Sequence, residues 1–310
     1  MYSLIFIQYK YQIVHYTFKK GIIMDKDVYK CDLSSDYLLA LNNILKRTRR
    51  KTASKEELAR ELNMPLSEIE IPCSYLVEYG YAFPDDSDRF EIYDFGTETV
   101  EEYQKIHAGI ARYLKDTLKI DALEACRNAA AFRNLMQDET VEDILQYVEE
   151  RHLPKLDEED ITIIYPALHA YISETRYDLL DPIYLLIEGS EHPQSETFTV
   201  QDFMNMCNMS PDRRQTAEKH LKKAQEQGLI EINKNGSMSL TSEGCAKCME
   251  YVKKQLCLVK FFEYTLNYDD DDESAGQSAW ACKYRITDAA FTAVEEYLKK
   301  TASTSVNTDF

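Results

Sequence analysis

Long apolar runs are missing from this chain. Nowhere among its 310 residues do about eighteen apolar side chains stand together, so no membrane-spanning helix is expected and no membrane partner. Catalytic signatures are missing as well. There is no glycine-rich phosphate loop, nucleophile elbow or His-Glu metal motif, and no enzyme is expected. Cations are scarce beside acids, 36 Lys and Arg against 54 Asp and Glu, for a formal net charge of −18. Such a chain is repelled by nucleic acid as a whole, so any duplex binding has to come from a local basic face. The eight cysteines form no dense framework, which fits reduced thiols in a cytoplasmic protein. Cys245-x-x-Cys248 is the one short pair, and Cys257 and Cys282 are poorly spaced to complete a zinc site. The 22 tyrosines read as core and interface packing, with no cofactor box. At 44% hydrophobic, the chain has material for two domains, each with its own core.

One stretch, Ser210 to Gly244, runs against the overall charge. Ser210 suits an N-cap and Pro211 the first turn of a helix, where its missing N–H costs nothing. Ala217, Leu221 and Ala224 recur at helical spacing as a buried stripe, and Gly228 closes the helix. Leu229 to Leu240 reads as a hairpin with its turn at Asn233 to Gly236. Thr199 to Met209 supplies a preceding helix. The cations Arg213, Arg214, Lys219, Lys222 and Lys223 fall on the outer faces. A basic second helix followed by a wing is how a major groove is read, and the plainer reading is a solvated basic face.

The same pattern occurs twice. Lys55 to Met64 matches Val200 to Met209, and Tyr75 to Tyr81 matches Lys223 to Leu229 with Gly80 and Gly228 in register. Each copy continues through a hairpin to a glycine (Gly96 or Gly244) that opens a long helix, Thr97 to Leu118 or Cys245 to Leu266. Each closes with a shorter amphipathic helix, Val141 to Glu150 or Ala289 to Lys300. The expected fold is therefore mainly α: two tandem winged helix-turn-helix domains, each followed by a helical dimerisation domain. The boundaries read as 30–96 and 97–155 for the first copy, a linker over 156–176, then 177–243 and 244–300 for the second. Residues 301–310 read as a disordered tail, and Asp269 to Glu273 as a solvated acidic loop. Residues 1–29 are an extension. Met24 is expected to be the true start, because Lys19-Lys20-Gly21 implies a purine-rich stretch just upstream of it.

The arrangement resembles the diphtheria toxin repressor and manganese transport regulator family of metal-dependent transcription regulators. The residues that carry the resemblance are Asp178-x-x-Asp181-Pro-Ile-Tyr-Leu-Leu-Ile-Glu188, Leu240-Thr-Ser-Glu-Gly244, Glu124-Ala-Cys-Arg127 and Ile106-His107. The resemblance implies a winged helix, a helical dimerisation domain and a site for divalent manganese or iron. Carried over by position, Asp36, His107 and Cys126 are the survivors of that site in the first copy. The family's Glu-His pair falls on Ala129-Ala130 or on Arg133-Asn134. In the second copy Asp178 and Asp181 remain, Gln255 stands in the histidine place, and the later pair lies within Lys283-Tyr284-Arg285. Both metal sites are expected to be eroded, with no cofactor required.

The two reading heads are expected to be unequal. Met64 to Glu78 carries Glu68, Glu70 and Glu78 and no cation, with Pro72 in the middle of the helix at a cost of about 3 kcal/mol. The neighbouring Lys46 to Lys51 cluster reads as a solvated loop or a phosphate contact. In the second copy the resemblance places Arg213, Arg214, Gln215 and Lys219 at base edges and Lys222, Lys223 and Lys234 on phosphates. The expected partner is double-stranded DNA, bound either by a homodimer or by an intrachain pseudo-dimer of the two copies. The other reading is a non-DNA-binding protein-interaction module descended from such a regulator.

Overall fold

The computed structural model describes residues 34–156, 197–206, 209–269 and 273–305. The fold is mainly α. The chain forms two compact units; their described residues are 34–156 with 257–269 and 273–305, and 197–206 with 209–256. The larger unit begins with α1 (Ser34–Thr48), α2 (Lys55–Glu61), a 3-10 turn (Leu66–Glu68), α3 (Glu70–Glu78), β1 (Ala82–Pro84) and β2 (Phe90–Ile92). Helices α4 (Asp94–Leu118), α5 (Ala122–Phe132) and α6 (Asp138–Glu150) follow. The smaller unit holds α7 (Val200–Met206), a 3-10 turn (Pro211–Arg213), α8 (Arg214–Glu226), β3 (Ile230–Ile232) and β4 (Met238–Leu240). Helix α9 (Ser242–Leu266) gives its first part to the smaller unit and its last part to the larger one. The larger unit also contains α10 (Glu273–Cys282) and α11 (Asp288–Ser305).

The helix–turn–helix–hairpin order appears twice, with the same backbone bonds. Each hairpin is a two-stranded antiparallel ladder, Phe83 facing Glu91 in one and Glu231 facing Ser239 in the other. A single residue upstream of the first short helix bridges the second strand, Ala53 to Phe90 and Phe198 to Met238. Helices α3 and α8 both end at a left-handed glycine, Gly80 (φ 70°) and Gly228 (φ 73°), a conformation glycine adopts without steric penalty. Glycine is demanded again at Gly96 and Gly244. A Cβ there would lie 2.3 Å from the Tyr81 carbonyl oxygen and 2.0 Å from that of Leu229. Buried stripes also coincide: Ile69, Cys73 and Leu76 on α3, Ala217, Leu221 and Ala224 on α8.

Several details differ from the sequence expectation. Pro72 is the third residue of α3, so its missing N–H belongs to the first turn, where no intrahelical acceptor exists. The expected penalty for a mid-helix proline does not arise. The basic helix starts at Arg214, after a 3-10 turn that Ser210 precedes without a side-chain hydrogen bond. Helix α5 lies where no helix was read; Asp121 caps it, accepting from the Glu124 N–H at 2.8 Å. Helix α11 runs through Ser305, five residues into the stretch expected to be a disordered tail, and Glu273 begins α10 rather than ending a loop. The units divide within α9. The extension 1–29, most of the linker, Asp178 and Asp181 lie outside the described residues.

In the larger unit the helices after the two hairpins share one core. The ring of Tyr113 on α4 lies 5.7 Å from that of Phe261 on α9. Each is met edge-on by a tyrosine of the closing helix: Tyr147 at 5.3 Å and 89°, Tyr297 at 5.5 Å and 87°. The starts of those closing helices are held reciprocally. Ser278 Oγ accepts from the Gln137 N–H at 3.0 Å, and Asn128 Oδ1 accepts from the Thr287 N–H at 3.0 Å. Asn128 and Ser278 are fully buried, so these bonds satisfy groups that would otherwise be costly to bury. Each contact thus returns with its two elements exchanged. Burying rings such as Tyr113 and Phe261 contributes about 2 kcal/mol apiece.

Candidate nucleic-acid interface

Helix α8 is oriented by its apolar stripe. Ala217, Leu221 and Ala224 join Phe203 of α7 and Ile230 and Leu240 of the hairpin in one buried cluster. The opposite face is therefore turned to solvent. Arg213, Arg214, Gln215, Lys219, Lys222 and Lys223 are all exposed, and Lys234 is exposed at the hairpin turn. That turn is fixed by the Gly236 N–H donating to the Asn233 carbonyl at 2.9 Å and the Ser237 N–H donating to Asn235 Oδ1 at 3.0 Å. Two cations have acidic neighbours one helical turn away, Arg214–Glu218 at 3.0 Å and Lys222–Glu226 at 3.9 Å. Exposed pairs of this kind are worth about 0.3–0.5 kcal/mol and yield readily to a phosphate. Arg213, Lys219, Lys223 and Lys234 form no ion pair among the described residues. His220 is half-buried, and burial, followed by the charge of Lys223, lowers its pKa.

The matching surface of the first half has other chemistry. With Gly80 and Gly228 in register, Leu66 stands in the place of Arg214, Ser74 of Lys222 and Tyr75 of Lys223. At the hairpin turn Asp86 replaces Lys234. Glu70 and Glu78 are exposed, and Glu70 pairs with Lys55 at 3.0 Å. The Lys46 to Lys51 cluster is partly neutralised. Arg47 pairs with Glu61 at 2.7 Å and Arg50 with Glu57, while Lys46, Arg49 and Lys51 remain exposed. Glu57 also closes a capping box with Ser54 and meets Arg89 at 3.0 Å. The Ser54 backbone N–H, then Arg50, hold its carboxyl down to about 2.

Of the family-derived metal candidates, Asp36 and His107 are brought together, with Arg133 between them. The Arg133 guanidinium pairs with the buried Asp36 carboxylate, whose other oxygen accepts from Asn134 Nδ2 at 3.2 Å. Arg133 Nη1 lies 3.1 Å from His107 Nδ1. A guanidinium only donates, so Nδ1 accepts and the ring proton sits on Nε2. Burial, and then the arginine charge, lower the His107 pKa well below its ordinary value. An Asp–His pair already occupied by a fixed cation does not suit a divalent ion. Cys126 is buried on α5, and among the described residues no three His, Cys, Asp or Glu side chains gather as a metal site. Sequence spacing left Arg133 as one of two possible placements; the clue to it was a buried-helix acid, Asp36, needing a partner. In the second half Lys283 is buried beside the rings of Tyr284 (4.8 Å) and Trp280 (5.2 Å).

Among the described residues no helix is long and apolar enough to cross a membrane. No family model matches this chain, and no curated protein matches it. Among solved structures it is similar to the hypothetical protein SSo2273 from Sulfolobus solfataricus, over 40% of this chain and 95% of that one. The identity is 22% and the TM-score 0.33, a likeness too slight to carry an argument.

Proposed function

We propose that this protein is a duplex-DNA-binding transcription regulator whose reading helix is α8 and whose wing is the β3–β4 hairpin of a winged helix-turn-helix. The observation that carries the reading is the exposed set Arg213, Arg214, Gln215, Lys219, Lys222 and Lys223, with Lys234 at the turn of the same compact unit. The first side chains approach base edges and the later lysines hold phosphates. The chain is a divergent tandem relative of the diphtheria toxin repressor and manganese transport regulator family. Its first head, with Leu66, Ser74, Tyr75 and Asp86 where the second has cations, does not read DNA.

The reciprocal pairing of Tyr113 with Phe261 and of Asn128 with Thr287 supports an intrachain pseudo-dimer. One competent head per chain then reads a single half-site rather than a palindrome. Regulation is metal-independent: the Arg133 guanidinium supplies, covalently, the positive charge that joins Asp36 to His107.

Selection of bound fragments from the source genome, followed by a gel shift, tests the reading. A specific complex that weakens steeply with salt is expected. Failure to bind any fragment at low salt contradicts it, and favours a protein-interaction module that does not bind DNA. The strongly acidic surface of the first head is the observation on that side.

A further inference from the structure

The first head carries a second surface that the DNA reading does not use. Its rings are stacked: Tyr75 on Tyr79 at 6.0 Å and 16°, Tyr79 on Tyr81 at 5.7 Å and 13°, Tyr81 on Phe95 at 5.7 Å and 22°. Beside this ladder Phe83 meets Tyr93 edge-on at 5.0 Å. Four of these rings are strongly exposed: Phe95 59%, Tyr93 52%, Tyr79 43% and Phe83 41%. A cluster of large exposed rings on one small hairpin and its flanking helices is what an interaction surface looks like, whereas single exposed hydrophobes are ordinary.

The charge around the rings says what kind of partner fits. Between Arg60 and Lys105 the chain has twelve Asp and Glu and one cation, Arg89. Arg89 is turned to Glu57 and to the Thr52 carbonyl. Glu91 faces Phe83 across the strand pair, Asp94 lies between Tyr93 and Phe95, and Glu78 adjoins Tyr79; all three acids are exposed. Their sign excludes nucleic acid and anionic lipid from this face. Ring faces edged by carboxylates match a guanidinium, which stacks flat on an aromatic ring while its N–H groups reach the acids.

We propose that the aromatic ladder of the first head is a docking surface for an arginine-rich segment of a partner protein. The proposal does not depend on whether α8 binds DNA. The probe is fluorescein-labelled octa-arginine, titrated with the full chain at about 150 mM salt, with octa-lysine alongside. Octa-arginine is expected to bind about fivefold or more tighter than octa-lysine, because the planar cation stacks. Replacing the two most exposed rings of this face, Tyr93→Ala with Phe95→Ala, should weaken binding about tenfold. Glu91→Lys should weaken it several-fold, whereas Glu296→Lys on α11, with the same change in net charge, should leave it within about twofold. Equal losses from the two charge reversals, equal affinity for the two peptides, or no effect of the ring variants overturns the proposal. Sedimentation of the unlabelled chain completes the test. Self-association abolished by the ring variants identifies a second copy as the occupant and overturns it too.

Discussion

Helices α3 and α8 occupy the same place in two equal successions of elements and share almost nothing on their outer faces. Inside, the match is close. Ile69, Cys73 and Leu76 are buried on one, Ala217, Leu221 and Ala224 on the other, and both helices end at a glycine with positive φ. Outside, Leu66, Ser74 and Tyr75 oppose Arg214, Lys222 and Lys223, and Asp86 opposes Lys234. The comparison teaches that packing constrains one stripe of each helix, while the exposed face is free to change its charge altogether. Cationic side chains stand on the outer face of α8; exposed rings and carboxylates stand around β1 and β2.

Four changes break or sharpen that comparison. The largest effect is expected at Arg133, the buried cation of the first half. Arg133→Met breaks the buried ion pair with Asp36 and should cost about 3–5 kcal/mol in urea denaturation. Asp36→Leu with Arg133→Met should restore most of it; a single-variant loss under about 1 kcal/mol would show the pair to be unimportant. Next come Gly96→Ala and Gly244→Ala, each driving a Cβ into a backbone carbonyl that cannot rotate away. Both should destabilise their own hairpin by about 2–3 kcal/mol, measurable by hydrogen exchange. Strongly unequal costs break the equivalence of the two heads.

The third test sets His107 against Gln255, its counterpart. The folded state holds His107 neutral, so the unfolded chain binds a proton that the folded chain does not. The stability linked to this group is complete above the ordinary histidine pKa and is lost as pH falls below it, by up to about 1.4 kcal/mol per pH unit. His107→Gln should flatten the stability profile between about pH 6.5 and 5. An unchanged slope there rules out the buried neutral ring.

Smallest is Glu57, whose carboxyl is held down to about 2 and whose counterpart at the start of α7, Asp202, accepts from the Thr199 N–H at 2.8 Å. Glu57→Gln should cost about 1 kcal/mol at neutral pH. The difference from wild type should vanish as pH falls from about 4.5 toward 2, because the depressed pKa stabilises only the ionised form. A constant difference down to pH 2 contradicts this.

Much of this was legible in the sequence, and the reasons differ by element. The stripe Ala217–Leu221–Ala224 and the glycines at 80 and 228 follow from helical period and left-handed geometry, so the buried face of α8 could be read directly. Helix α5 was not, since in ALEACRNAAAF only Glu124, Arg127 and Asn128 form a narrow polar stripe on an otherwise apolar run. Pro72 misled because the preceding residues form a separate 3-10 turn, which moves the helix start to Glu70. The pairing of Asn128 with Thr287 joins positions far apart in the chain, and no local pattern marks it.

The most direct test of the central claim compares the two heads on one duplex. Fluorescence anisotropy with a genomic fragment selected by the protein should be run for wild type, for Arg213→Ala with Arg214→Ala, and for Arg47→Ala with Arg49→Ala. The second-half pair should weaken binding about 100-fold, and the first-half pair should change it less than about threefold. Loss of binding with the first-half pair, or retention with the second, contradicts the assignment of α8 as the reader.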